Sequence, residues 1–324
     1  MRDFTGNRRI RDAWTWWRTL RDNRQRYRDL YGRRMHLVRP RTHSEWIHHY
    51  KFLRRDPWLP RLTDKIEAKK FIAERVGEEY VIPTYWSGRT LPPRRVRRQW
   101  SRPYFIKAAH GCHQDVEVAA EGRVPWDRIE RRTERWLRST YGGRGGEWQY
   151  ARLRPRLIVE QRIGEPGVLP DDYKFWVFQG RVHFVHWFTD RGLPSYGGRI
   201  VDRDWNEPFR SVSQRTHERY PPRPESLQTM MWLAETLGEG FRFVRVDLYE
   251  IDGRPYVGEL TFTPSAGFHT LAPDRVDFDL GRLWRTPRRE RFPATPAPVA
   301  STESTGPDSS PADKVLARAG GGVA

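Results

Sequence analysis

The run Val244-Arg245-Val246-Asp247-Leu248-Tyr249 and the run Val257-Gly258-Glu259-Leu260-Thr261 carry the densest chemistry in the chain. Val244, Val246 and Leu248 alternate with Arg245, Asp247 and Tyr249, which predicts a strand with one apolar and one charged face. Asp252 and Gly253 then turn the chain into a second strand. A two-residue turn would pair Asp247 with Gly258, send Glu259 to the other face, and put Leu260 and Phe262 on the charged side. A three-residue loop, Ile251 to Gly253 with Gly253 left-handed, instead sets Asp247, Val257, Glu259 and Thr261 on one face with Arg245, and Leu260 opposite Val244. Only this second register keeps Leu260 and Phe262 in a core, so it is the one expected. Two adjacent carboxylates repel unless a cation lies between them, and hard oxygen ligands suit magnesium. The competing reading is an Arg245–Glu259 surface pair with Asp247 in water.

Other candidates lie upstream. Tyr104 to Ala109 and Val116 to Ala119 read as short strands around a His110-Gly111 turn. Lys107 closes the first of them; it is either a solvated strand-end lysine or, in a chain where arginine dominates, a lysine kept for function. Glu160 ends the apolar run Leu157-Ile158-Val159. Lys174 and Asp172 can form a plain surface pair. Cys112 with His110 or His113 is a poor zinc or nucleophile site, because one cysteine in a short turn has no second ligand pair. His183 and His186 fall on opposite faces of a strand and do not share a metal.

The elements that must hold these residues are mixed. Thr63 is the expected cap of a helix through Val76, with Ile66, Ala73 and Val76 inward and Gly77 as its stop. Trp126 to Thr140 reads as a helix with Ile129, Trp136 and Leu137 on one face, stopped by Gly142 and Gly143. Leu157 to Ile163, Tyr173 to Phe178 and Val182 to Phe188 are strands, the last two joined by a tight turn at Gln179 and Gly180. Glu225 to Leu237 is a helix carrying Leu227, Met230, Ala234 and Leu237, and it leads into the strand pair from Arg242 to Phe262. The order is α+β rather than regular βαβ, without a Walker or Rossmann glycine signature.

Three regions follow. Residues 1–60 are basic and aromatic, with helical segments ending before Pro40, and Trp14, Trp16, Trp17, Tyr27 and Tyr31 are expected to pack as a cap on the main domain, 61–290. Residues 291–324, rich in Pro, Ala, Ser, Thr and Gly, bury too little apolar surface to fold and are expected to be disordered. The 59 Lys plus Arg against 41 Asp plus Glu give a net charge of +18, which favours polyanionic partners without choosing among them. Large apolar anchors in the N-terminal segment argue against a nucleic-acid arm, while peripheral contact with a membrane stays open. No apolar run approaches a membrane span or a signal peptide core, and one cysteine among 324 residues gives no intrachain disulfide, so the expected location is the cytoplasm.

The segments LTDKIEAKKFI, YFIKAAHGC, PRLIVEQRI, DDYKFWVF, VRVDLYE and GELTFTPSAGF, in this order and spacing, resemble the TupA-like branch of the ATP-grasp superfamily from about Arg39 to Pro287. The resemblance implies an α+β ATP-grasp fold, two lobes holding ATP between them, with a lid lobe at about residues 100–165. It implies an ATP- and magnesium-dependent carboxylate–amine ligase that makes an acyl phosphate, on small-molecule or cell-surface glycan and polymer substrates. By that resemblance Asp247 and Glu259 hold magnesium and Arg245 contacts the transferred phosphoryl group, with Lys174 near phosphate or substrate. Lys107, His110 and Gly111 would bind phosphate, Glu160 would line adenine and ribose, and Lys65 of the TDK element would make an anion contact. The position two beyond Glu259 is Thr261, where many ATP-grasp enzymes have asparagine. The family's HGSGxN turn is here His110-Gly111-Cys112-His113-Gln114-Asp115, so His113 stands at a glycine position. A basic nucleic-acid or polymer binder with a decayed nucleotide site is the alternative.

Overall fold

The computed structural model describes residues 4–139, 141–142, 145–165 and 167–285, with side chains from Trp14 onward. The expected tail at 291–324, Thr140 and Gly143 lie outside the described residues. Four helices come first: α1 Phe4–Tyr31, α2 His43–Phe52, α3 Leu59–Thr63 and α4 Lys65–Val76. Helical structure therefore does not end before Pro40. Thr42 starts α2 through a capping box with Glu45. The cap of α4 is Asp64 rather than Thr63, its carboxylate accepting from the Ile66 and Glu67 amides, and the buried positions are Ala68, Ile72 and Val76.

A small antiparallel sheet follows, ordered β1-β4-β2-β3, from β1 Thr84–Gly88, β2 Tyr104–Ala108, β3 Asp115–Val118 and β4 Leu157–Gln161. The short helix α5 Arg94–Arg97 precedes β2, and α6 Trp126–Arg138 follows β3. This sheet takes its edge strand from well before residue 100. Tyr104, Ile106 and Ala108 point one way into a core with Ile129 and Trp136 of α6, so Phe105 and Lys107 point the other.

The large sheet, ordered β10-β9-β5-β6-β7, is built from β5 Asp172–Phe178, β6 Arg181–Thr189, β7 Gly197–Asp202, β9 Phe243–Ile251 and β10 Arg254–Thr261. The two-residue strands β8 Arg210–Ser211 and β11 Leu271–Ala272 pair with each other, and α7 Leu227–Gly238 and α8 Arg275–Leu283 complete the fold. Leu227, Met230, Ala234 and Leu237 of α7 are buried in the core shared with Phe175, Val177, Val244 and Val246. The opposite face of the sheet carries the charged residues at its β5, β9 and β10 end.

The β9–β10 hairpin corrects the expected register. Ile251 pairs with Arg254 across a two-residue turn, with Asp252 at φ 51° and Gly253 at φ 70°, the left-handed pair that such a tight turn requires. Val257 then pairs with Leu248 on the apolar side, and the next pair is Glu259 with Asp247, leaving Gly258 as a bulge. That extra residue returns Glu259 to the face of Asp247, and Leu260 lies opposite Val246, not Val244. A Cβ at Gly258 would stand 2.5 Å from the Tyr249 ring, so the bulge needs glycine.

Candidate active site

Cross-strand register assembles the first half of the site. Lys174 pairs with Asp247, Asp247 with Glu259, and Arg245 with Thr261, so β5, β9 and β10 present them on one face. Arg245 grips Asp247 with two bonds, Nε to Oδ1 at 2.6 Å and Nη2 to Oδ2 at 2.7 Å, and Nη2 also donates to Thr261 Oγ1 at 3.2 Å. Lys174 Nζ lies 2.9 Å from Asp247 Oδ2 and bonds Asp172 as well. Asp172 is therefore part of a buried cluster rather than of a surface pair. Burial pushes the Asp247 carboxyl up, but Arg245 and Lys174 outweigh it and the net direction is down. Burial and the neighbouring Asp247 hold Asp172 above its ordinary value despite Lys174. Its Oδ1 is buried without a hydrogen-bond partner among the described residues.

The second half belongs to the small sheet and α4. Glu160 of β4 sits between Lys107 of β2 at 2.6 Å and Lys69 of α4 at 2.7 Å. Burial opposes its ionisation, yet the two ammonium groups bring it down to about 2. Lys69 was missed by sequence reasoning. Its signal was the i, i+4 spacing from Lys65, which puts both on one side of α4. Lys65 Nζ donates to the Gly111 carbonyl at 2.8 Å. Burial disfavours its charge, but attraction led by Glu259 raises it overall. Glu259 thus acts electrostatically on Lys65 on one side and on Arg245 on the other.

His110, expected at the nucleotide-binding turn, has its ring held by backbone groups. The residue is buried, its Nδ1 receives the Arg156 amide at 3.3 Å, and its Nε2 meets the Trp136 carbonyl at 3.0 Å. With both ring nitrogens meeting backbone, the imidazole fastens the turn to α6 and the approach to β4. Glu160, expected to line adenine and ribose, is engaged by two lysines. His113 holds φ 57°, so the turn keeps a glycine-like backbone with an exposed imidazole on it.

A third group could not be found from sequence spacing. Thr263 Oγ1 donates to Glu147 at 2.7 Å and accepts from Gln149 at 3.1 Å. After it Ser265, Ala266 and Gly267 all have positive φ, at 51°, 52° and 82°. Two non-glycine residues in this region cost about 1 kcal/mol each, so the turn needs support. Lys51 of α2 supplies it by donating to the Ala266 carbonyl at 2.7 Å, and Tyr31 of α1 by donating to Gly267 O at 3.2 Å and His269 O at 3.1 Å. Burial drives Lys51 down to about 7 against the pull of Glu147. The N-terminal helices thus brace the segment that follows Glu259.

Magnesium takes one or two carboxylates and completes its shell with phosphate oxygens and water. Asp247 and Glu259 fit that demand: they are adjacent hard donors, and no described residue forms an ion pair with Glu259. Among the described residues no group of three or more His, Cys, Asp or Glu could hold a metal ion alone, so phosphate oxygens would have to share it.

The structure is a two-sheet α+β fold of the ATP-grasp kind, with Lys107 on the small sheet, Lys65 and Lys69 on α4, and paired carboxylates on the large sheet. A profile of TupA-like ATP-grasp proteins matches residues 45–285, and the chain belongs to that family. No curated protein matches the sequence. Among solved structures the chain is similar to a D-alanine–D-alanine ligase from Bacillus anthracis, with 14% identity over 69% of this chain and 65% of that one and a TM-score of 0.40. It is also similar to an L-amino acid ligase from Bacillus licheniformis, with 16% identity over 69% and 49% and a TM-score of 0.40. A third is the ATP-grasp ligase PsnB complexed with a minimal precursor, with 16% identity over 64% and 54% and a TM-score of 0.38. The chain spans 54% of that PsnB chain, and the family assignment stands on the profile match.

Proposed function

We propose that the protein is an ATP- and magnesium-dependent carboxylate–amine ligase that works through an acyl phosphate, in the cytoplasm, on a cell-surface glycan or polymer precursor. The observation that carries this reading is the Asp247–Glu259 pair beside Arg245 and Lys174, with Glu259 acting electrostatically on Lys65 of the lysine-rich half, in a chain of the TupA-like family. The substrate class follows from the family resemblance. Magnesium, when bound through Asp247 and Glu259, would offset the charge of the β- and γ-phosphates.

The chain's own side chains then have distinct tasks. Lys107 and Lys69, held by Glu160, attract the triphosphate, and Lys65 steadies the Gly111 turn beneath it. Arg245 bonds Asp247 through Nε and Nη2, which leaves Nη1 for the transferred phosphoryl group. A substrate carboxylate oxygen forms a bond to the γ-phosphorus as the bond to ADP breaks. An amine then adds to the acyl carbon, phosphate leaves, and the amine proton passes to solvent or phosphate.

Hydroxylamine tests the chemistry because it intercepts an acyl phosphate as a hydroxamate. With ATP, magnesium and a set of glycan-type carboxylic acids, one acid should yield hydroxamate and ADP in equal amounts. ADP with a stable phosphomonoester and no hydroxamate would make the protein a kinase instead.

A further inference from the structure

We infer that the outer face of α1 docks the protein on an anionic lipid surface. This inference does not rest on the proposed ligase activity. The inner face of α1 is committed: Leu20 and Tyr27 are buried, the Tyr27 hydroxyl bonds Ser44 at 3.2 Å, and Trp16 meets Phe52 edge-on at 6.2 Å. Trp14 and Trp17, expected to pack in the same way, stay largely outside, Trp17 meeting only the edge of Trp16 at 4.8 Å among the ring contacts of the described residues. They are 64% and 61% exposed.

Trp14, Trp17, Arg18, Arg21, Arg24 and Arg28 follow the three-and-four spacing of one helical face, and all are exposed. The Arg18 guanidinium lies over the Trp14 ring at 5.2 Å from its centre. Between Met1 and Tyr31 the sequence has nine arginines against four aspartates. Indoles beside an arginine stripe match the boundary of a bilayer, where the ring enters the acyl edge, its N–H stays among headgroups, and guanidinium groups reach lipid phosphates. Among the described residues no helix is long and apolar enough to cross a membrane, so the contact is one of lying on the surface.

Charge complementarity selects this occupant. A second copy would set the same arginine stripe against itself in a chain of net charge +18. Nucleic acid supplies phosphates, but base stacking uses a platform beside a groove that tracks the strand, and the ridge of a single helix has none.

Sedimentation of the full chain with phosphatidylcholine vesicles containing roughly one-third phosphatidylglycerol, against pure phosphatidylcholine, tests the inference. The expected result is binding to the anionic vesicles alone, reduced about tenfold or more by the W14A/W17A double variant. Arg18→Gln with Arg21→Gln should weaken it too. Both variants should keep the parent's melting temperature, since these side chains are exposed. Absence of vesicle binding, or binding to which Trp14 and Trp17 are indifferent, overturns the proposal. Oligonucleotide binding or self-association that the tryptophan variant abolishes, without vesicle binding, also overturns it.

Discussion

The two halves of the site handle charge in opposite ways. On the large sheet, Asp172, Asp247 and Glu259 face Lys174 and Arg245, so acids outnumber bases and Glu259 is left without an ion pair among the described residues. On the small sheet and α4, one carboxylate, Glu160, is shared by Lys69 and Lys107, with Lys65 nearby. The first half has negative charge to offer a cation, and the second has positive charge to offer phosphate. Each carries enough opposite charge to keep its buried groups compensated before any ligand arrives.

The sharpest way to break the comparison is to remove one carboxylate at a time from the large sheet. Asp247→Asn and Glu259→Gln should each lower ATP turnover by about a hundredfold or more, and the double variant should be little worse than either. Their stabilities should differ. Asp247→Asn strips Arg245 and Lys174 of a buried partner and is expected to cost about 3 kcal/mol in denaturant unfolding, whereas Glu259→Gln should stay near the parent. Equal stability of the two would mean that Asp247 is not the hub of that cluster.

The lysine half should fail differently. Lys107→Ala is expected to weaken nucleotide binding about tenfold or more in calorimetry, with little change in the metal's contribution. Glu160 gives a pH signature. Its folded value near 2 lies below the ordinary 4.5, so its stabilising contribution is fully present above about pH 4.5 and is lost as pH falls toward 2. The stability gap between the parent and Glu160→Gln should therefore shrink across that window, by up to about 3 kcal/mol. A gap that is flat with pH would show that Lys69 and Lys107 do not hold Glu160 ionised.

The smallest effect concerns His113. A histidine at φ 57° carries a backbone penalty that glycine lacks, so His113→Gly should raise stability by up to about 1 kcal/mol without weakening nucleotide binding. A loss of stability would mean that the exposed imidazole makes a contact worth more than that penalty.

Much of the site was legible, and the errors share a cause. Alternation along β9 and the demand that Leu260 and Phe262 be buried put Glu259 beside Asp247, as observed. The inferred loop was wrong because a three-residue loop and a two-residue turn plus a bulge at Gly258 leave the same face parity at Glu259. Val257, which the bulge leaves on the apolar side, and Leu260, whose partner is Val246 rather than Val244, separate them. The partners of the His110 ring were not legible because a turn sequence does not say which way an imidazole points, and here both nitrogens meet backbone from distant elements. Glu147, Lys51 and Tyr31 escaped because their partners at Thr263 to His269 are more than a hundred residues away. The cap of α4 at Asp64 misses the expected one by a single residue, an ordinary uncertainty at a helix start.

The central claim is that Asp247 and Glu259 supply the protein's side of a magnesium–nucleotide site. Calorimetric titration with a non-hydrolysable ATP analogue, with and without magnesium, on the parent and Glu259→Gln tests it directly, because Glu259 can be changed without breaking an ion pair among the described residues. Magnesium should tighten binding of the analogue to the parent about tenfold or more, and this gain should largely disappear in the variant while metal-free binding persists. A variant that gains as much from magnesium as the parent does would contradict it.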